Sequence, residues 1–266
     1  MEAIHWIIKK LRQAMLDRQY SINETLAGKY KIKEVLRNGS YGIIYLCLDL
    51  DSGRKCVVKQ MRKSKKKENE QNYKQETAIL NMLNHSCIPK LMQTFTYQNN
   101  QFFSMEFIEG QNLESILFDL KKQYDEKDCL VLFKELATIT CYIHGKGIVH
   151  GDIRIPNVII NKDRLYVIDF GLAHDLNTDY LNKETEKKLV QEDFYDLGEF
   201  LLFLLYSTYD DKSKKDQPWT EELILHSKTT SILKRLLQID EPYRSDKEIL
   251  KDIDQAIKNL SSNNSL

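Results

Sequence analysis

Apolar and polar positions alternate over Tyr30–Leu36, where Tyr30, Ile32 and Val35 interleave with Lys31, Lys33 and Glu34. Apolar runs follow at Ile43–Leu48 and Cys56–Lys59, separated by the turn signal Asp51-Ser52-Gly53. A period near two between turn residues predicts strands, here a short antiparallel meander. A helix is predicted over 71–83, with Ala78, Ile79, Met82 and Leu83 apolar and Pro89 closing the stretch. Two strands follow, Leu91–Gln98 and Gln101–Phe107. Helical periodicity then dominates, over Leu113–Lys122, Asp128–His144 and Asp193–Ser207, with short strands at Val158–Ile160 and Tyr166–Ile168. Sheet first and helices later predicts an α+β chain with two segregated lobes.

The first twenty residues form a separate pattern. Ile4, Ile7, Ile8, Leu11 and Met15 recur at helical spacing, with Lys9, Lys10, Arg12 and Arg18 largely off that stripe. Three uses fit such a helix: packing on the domain that follows, self-association or partner binding, and contact with an anionic membrane surface. The predicted organisation is an N-terminal extension over 1–27, a sheet-rich lobe over 28–107 and a helical lobe over 108–266.

Composition removes several function classes. The 39 basic and 39 acidic residues cancel, so no global field draws the chain to nucleic acid. The five cysteines contain no Cys-x-x-Cys pair and suit neither a zinc site nor a disulfide framework. No secretory core is visible, and the longest apolar stretch, Phe200–Tyr206, is far below the roughly 20 residues needed to span a bilayer. A soluble cytoplasmic protein, monomeric or weakly dimeric, is expected. The charge run at 62–70 reads as a solvated loop and helix start.

The candidate chemistry is concentrated in one stretch. His150-Gly151-Asp152-Ile153-Arg154-Ile155-Pro156-Asn157 is followed by a strand and then Asp169-Phe170-Gly171. An Asp and an Asn five apart, with a second Asp beyond a strand, can provide a base and hard oxygen ligands for magnesium. Upstream, Leu36-Arg37-Asn38-Gly39-Ser40-Tyr41-Gly42 joins two predicted strands, and its glycines would let backbone approach phosphates. Lys59 ends a strand and Glu76 follows on a helix, the elements of a Lys–Glu pair that positions an amine.

These five features, in this order, resemble the protein-kinase superfamily over about residues 30–260. The resemblance implies a bilobal fold, with a five-stranded antiparallel sheet plus one helix and then a mainly helical lobe. It implies ATP and Mg²⁺ as cofactors. Lys59, held by Glu76, would place the α- and β-phosphates; Asp152 would orient the acceptor hydroxyl; Arg154 would offset γ-phosphoryl charge; Asn157 and Asp169 would hold the metal. Leu36, Gly39, Gly42, Ile44 and Val57 would line the nucleotide, with Ile159 as its floor. Met105 would be the gatekeeper, and the Glu106 and Ile108 backbone would meet adenine. Asp193 would open the large buried helix and hold the catalytic-loop backbone.

The departures from the family pattern are informative. Arg37 stands at the first glycine of the phosphate loop, and Arg154 at the usual Lys. Gly151 replaces the Arg that usually receives an activation-loop phosphate, so control through that contact is not expected. Only 21 residues, 172–192, separate the Asp-Phe-Gly from Asp193, and no Ala-Pro-Glu occurs there. Arg244 then lacks its usual glutamate, with Glu184, Glu186 and Glu192 as candidates. His-Gly-Asp with a short segment is similar to RIO-like atypical kinases and small bacterial kinase-like proteins. The implied activity is serine/threonine phosphorylation of proteins. The alternatives are a small-molecule or lipid-sugar kinase with the same core, and a nucleotide-binding pseudokinase scaffold.

Overall fold

The computed structural model describes residues 18–39, 42–62, 66–178, 181–209 and 217–263. The expected N-terminal helix lies outside them over 1–17, as do Ser40 and Tyr41 of the glycine-rich loop. The chain forms two compact units, residues 1–108 and 109–266.

The first unit is a sheet of six strands in the order β1-β2-β3-β4-β6-β5. They are β1 (Thr25–Leu26), β2 (Tyr30–Asn38), β3 (Gly42–Asp49), β4 (Lys55–Met61), β5 (Leu91–Tyr97) and β6 (Asn100–Glu106). All neighbours are antiparallel. The five expected strands are present, and β1 adds a two-residue sixth. One face buries Ile43, Tyr45, Cys47, Cys56, Val58 and Phe102 with Tyr20 and Leu26 from the segment before β2. That segment is tied down by polar contacts: the Tyr45 hydroxyl accepts from the Tyr20 N–H and donates to Gln60 Oε1 at 2.7 Å. Gln60 Nε2 in turn donates to the Arg18 carbonyl. The alternate positions Ile44, Leu46, Val57 and Met105 stand on the other face, all half-buried, as a period of two requires.

Helix α1 (Lys66–Met82) crosses between β4 and β5. It begins inside the expected charged loop, because the run Lys66–Glu70 contains good helix formers and no breaker. Its inward residues Glu76, Ile79 and Leu80 are buried.

The second unit is mainly helical. Its elements are β7 (Gln111–Asn112), α2 (Leu113–Phe118), α3 (Glu126–Gly145), β8 (Ile148–Val149), β9 (Val158–Asn161), β10 (Arg164–Val167), β11 (His174–Asp175), α4 (Lys183–Leu205), α5 (Trp219–Glu222), α6 (Ser227–Leu236) and α7 (Asp246–Asn263). Single 3₁₀ turns cover Ile155–Asn157 and Tyr206–Thr208. The core lies around α3 and α4, which bury Leu130, Phe133 and Leu136 and Phe194, Leu197 and Phe200.

Two helix ends differ from expectation. Helix α2 stops at Phe118 rather than Lys122, with Lys121 turning the chain at φ +52°. Helix α4 starts ten residues before Asp193, where Asn182 caps it by accepting from the Thr185 N–H at 2.8 Å. Glu184 and Glu186 add favourable charge in its first turn. The stretch Lys183–Lys188 has no apolar stripe, so hydrophobic periodicity could not reveal it.

Candidate active site

In the first unit, Lys59 sits in the middle of β4 and Glu76 midway along α1. The Lys59 ammonium donates to both Glu76 oxygens, at 2.6 and 2.8 Å. The side chains are only 4% and 3% exposed, so each charge offsets part of the hydration the other has lost. Lys59 also lies 5.8 Å from the centre of the Phe103 ring. Ile44 is directly opposite Lys59 across the ladder, and Val57 is opposite Met105. These half-buried apolar residues, with Leu36 at 43% exposure, give the sheet a greasy surface near the ammonium. The Glu106 N–H is taken by the Lys90 carbonyl at 2.9 Å. Ile108 is half-buried at the end of this unit.

The glycine-rich turn has its own restraints. Gly39 donates to the Gly42 carbonyl at 3.0 Å, and Arg62 Nε donates to the Gly39 carbonyl at 2.7 Å. Arg62 also holds the Asn38 side chain. A Cβ on Gly42 would stand 2.6 Å from the Gln60 carbonyl, so the neighbouring strand by itself demands glycine there. Gly39 faces no such crowding.

In the second unit, the 150–157 loop holds Asp152 by both oxygens. Asp152 Oδ1 pairs with Arg154 Nε at 3.0 Å, and Oδ2 accepts from Asn157 Nδ2 at 2.8 Å. The same amide nitrogen donates to the Asp152 carbonyl at 2.9 Å. With its Nδ2 spent on Asp152, buried Asn157 has Oδ1 as the atom to present to a cation. Asp152 is 22% exposed and Arg154 51%, so the acid remains reachable. Asp169 is partly buried, and its backbone is left-handed at φ +66°. Such a conformation in a non-glycine residue costs of order 1–3 kcal/mol and persists where neighbours enforce it. Here Asp169 Oδ1 accepts from the Gly171 N–H, and Phe170, 1% exposed, packs on the His150 ring at 4.8 Å. Half-buried Ile159, in β9, pairs with Asn112 and Tyr166.

The loop backbone hangs from α4. Asp193, fully buried, accepts from the His150 and Gly151 amides at 2.8 Å each. Asp196, one turn later, accepts from the Ile153 amide at 3.2 Å. The Asp152 amide turns inward to His150 Nδ1 at 3.3 Å. Burial pushes the His150 imidazole down, which keeps it neutral, with Nε2 donating to the Ile168 carbonyl. Gly151 has φ +72°, and a Cβ there would meet the Leu172 carbonyl at 2.6 Å. This backbone admits no arginine at 151, and that is the physical content of the His-Gly-Asp departure.

His144, on α3, was not marked by the sequence reading. It joins Asp193 through Nε2 and Asp246 through Nδ1, both at 2.9 Å. Burial alone would lower its pKa, but the two carboxylates win and raise it to about 9. The imidazolium therefore balances the buried Asp193. Asp196 was also missed, although a carboxylate three positions after Asp193 on a largely apolar helix is a signal.

The expected partners of Arg244 are corrected. Arg244 pairs with Glu241 at 3.0 Å, both strongly exposed, and with none of Glu184, Glu186 or Glu192. Glu192 pairs with Lys188 on the α4 surface. The structural arginine of this region is Arg235, bound to Glu248 and Asp252 and stacked 3.8 Å from the Tyr243 ring centre. The early start of α4 replaced the loop from which a glutamate would have come.

A magnesium nucleotide fits the donor set. Magnesium takes hard oxygen ligands and uses one or two protein groups plus phosphates, which Asp169 and Asn157 Oδ1 match. Among the described residues no cluster of three or more His, Cys, Asp or Glu forms a self-sufficient metal cage. Among the same residues, no helix is long and apolar enough to cross a membrane.

Comparison with known proteins gives the family. The protein kinase domain family matches residues 30–196. The chain is 41% identical over 256 residues to the probable serine/threonine-protein kinase YbdM of Bacillus subtilis, covering 96% of this chain and 99% of that one. It is 29% identical over 164 residues to the serine/threonine-protein kinase cds1 of Schizosaccharomyces pombe, covering 59% of this chain and 35% of that protein. In fold it is similar to the kinase domain of Mycobacterium tuberculosis PknI, with a TM-score of 0.69 at 18% identity over 90% of this chain and 99% of that one. The chain belongs to the protein kinase family.

Proposed function

We propose that the protein transfers the γ-phosphoryl group of Mg²⁺-ATP to serine and threonine hydroxyls of other proteins. The observation that carries this reading is the clamp on Asp152, whose two carboxylate oxygens are aimed by Arg154 and Asn157 while the group stays reachable. A scaffold needs no such restraint on an acid.

Lys59, fixed by Glu76, places the α- and β-phosphates. Ile44, Val57, Met105 and Ile159 supply apolar contact to the base, and the Glu106 carbonyl and Ile108 backbone supply its hydrogen bonds. Gly39 and Gly42 let the backbone of the turn approach the phosphates. Asp169 and Asn157 would hold Mg²⁺, which offsets phosphate charge when bound. Asp152 orients the acceptor hydroxyl and takes its proton as the new O–P bond forms and the bond to the β–γ bridging oxygen breaks, releasing ADP. Arg154 offsets charge on the transferring group. Little covalent chemistry is asked of the protein, so positioning and electrostatics supply the rate. Strong identity to a relative named as a probable serine/threonine-protein kinase supports a protein acceptor. The proposed setting is the cytoplasm, where the five free cysteines stay reduced.

A second reading, a kinase for small alcohols or sugars, is favoured by one observation. The early start of α4 leaves only residues 172–182 between the Asp-Phe-Gly and the helix, a minimal platform for a peptide. Incubation with radiolabelled ATP, with and without Mg²⁺, followed by phosphoamino-acid analysis separates the two. Label on serine or threonine, dependent on Mg²⁺, is expected. Label on small alcohols and never on protein would overturn the reading.

A further inference from the structure

Two carboxylates on α4 hold the loop that bears Asp152, and they are built differently. Asp193 takes the two amides preceding Asp152 and is matched by the His144 imidazolium. Asp196 takes the one amide that follows Asp152, that of Ile153, through Oδ2. No ion pair is formed by Asp196 among the described residues. The amides on either side of Asp152 are thus pinned to one helix, and the C-terminal pin is a single hydrogen bond from an unpaired carboxylate.

We propose that Asp196 is a positioning residue for Asp152, holding it in register through the Ile153 amide, and that its charged form is the working one. The inference rests on the phosphotransferase reading above. A hydrogen bond to an ionised acceptor is roughly twice as strong as one between neutral groups. Loss of that charge therefore loosens the loop just after Asp152, and positional freedom at a proton acceptor lowers turnover more than nucleotide affinity. Burial pushes Asp196 up to about 7, Asp193 adds to this, the Ile153 amide opposes it, and Asp152 and Glu199 contribute smaller raises. Of the other charged or titratable groups that hold this loop and its Asp193 anchor, Arg154 is bound to Asp152, His150 is buried and neutral, and His144 pairs with Asp193. Asp196 thus changes charge near neutrality.

The test uses the full chain with Mg²⁺-ATP and dephosphorylated casein as acceptor, between pH 5.5 and 9. For the wild type, kcat is expected to fall about tenfold from pH 8 to pH 6 while KM for ATP stays within about twofold. Asp196→Asn should lie near the acid-side value throughout and lose the limb near pH 7, and Asp196→Glu should restore part of it. Amide hydrogen exchange is followed on the same proteins at pH 8, where Ile153 should exchange faster in Asp196→Ala than in the wild type. An Asp196→Asn profile that superimposes on the wild type overturns the inference, as does unchanged Ile153 exchange in Asp196→Ala. If the wild-type chain transfers no phosphate to any acceptor, the functional reading fails. Ile153 exchange then decides the contact alone: lost protection upholds it, and unchanged protection removes it.

Discussion

In the sheet unit, Lys59 and Glu76 neutralise each other at 2.6 and 2.8 Å with almost no exposure. In the helical unit, the buried charge of Asp193 is shared between the His144 imidazolium and two backbone amides. The first arrangement is a point-to-point ion pair across two elements, β4 and α1. The second is a hub joining α3, α4, α7 and the 150–157 loop. A buried ion pair contributes little net stability against an apolar replacement, and losing one partner costs much more. A hub that satisfies backbone donors is part of the fold itself. On the proposed function, the same physics, desolvated charge that must be matched, supplies a chemical tool in one unit and a structural one in the other.

The most severe way to break this contrast is to remove one member of each set. Lys59→Met should lower phosphate transfer by about a thousandfold or more and remove the cation that faces buried Glu76, at about 3–5 kcal/mol of stability. The double change Lys59→Met with Glu76→Met should recover most of that stability and none of the activity, as read by thermal unfolding and ATP turnover together. His144→Gln should cost roughly 3 kcal/mol or more near pH 7, because it strands Asp193. The sign with pH follows from the raised pKa of His144. Its contribution is fully present below about 6.5, the ordinary imidazole value, and is lost as pH rises through about 9. The variant and the wild type should therefore converge in stability at alkaline pH, and a constant difference up to pH 10 would contradict the imidazolium assignment.

Gly151→Ala sharpens the hub side of the comparison. Its φ of +72° and the Leu172 carbonyl 2.6 Å from a would-be Cβ predict a loss of about 1–3 kcal/mol, measured by denaturant titration. The smallest effect belongs to Arg244. As half of an exposed pair, Arg244→Ala should change stability by less than about 1 kcal/mol, whereas Arg235→Ala, which removes two ion pairs and a stacked ring, should cost clearly more.

The strands of the sheet unit were legible because period-two alternation and turn residues mark strands locally. The Lys59–Glu76 contact was legible because a chemical motif constrains both residue type and spacing, and the same constraint marked Asp152, Asn157 and Asp169 as candidates. Three things were hidden, each for a definite reason. The first ten residues of α4 are held by a cap and charge rather than by an apolar face. His144 looks like any helical histidine until the fold brings Asp193 and Asp246, 49 and 102 residues away, to its two nitrogens. Gly151 was read as a missing arginine, whereas the left-handed backbone and the Leu172 carbonyl make it a required glycine. Long-range partners and backbone dihedrals are properties of the folded chain, and local pattern does not encode them.

The central claim is that Asp152, held by Asn157 and Arg154, orients and deprotonates the acceptor hydroxyl. Single-turnover transfer of labelled phosphate from Mg²⁺-ATP to protein serine or threonine, compared between the wild type and Asp152→Asn with ATP affinity measured in parallel, tests it directly. The account predicts transfer slowed by about a hundredfold to ten-thousandfold with ATP affinity within about threefold of the wild type. Equal transfer by the two proteins would contradict it.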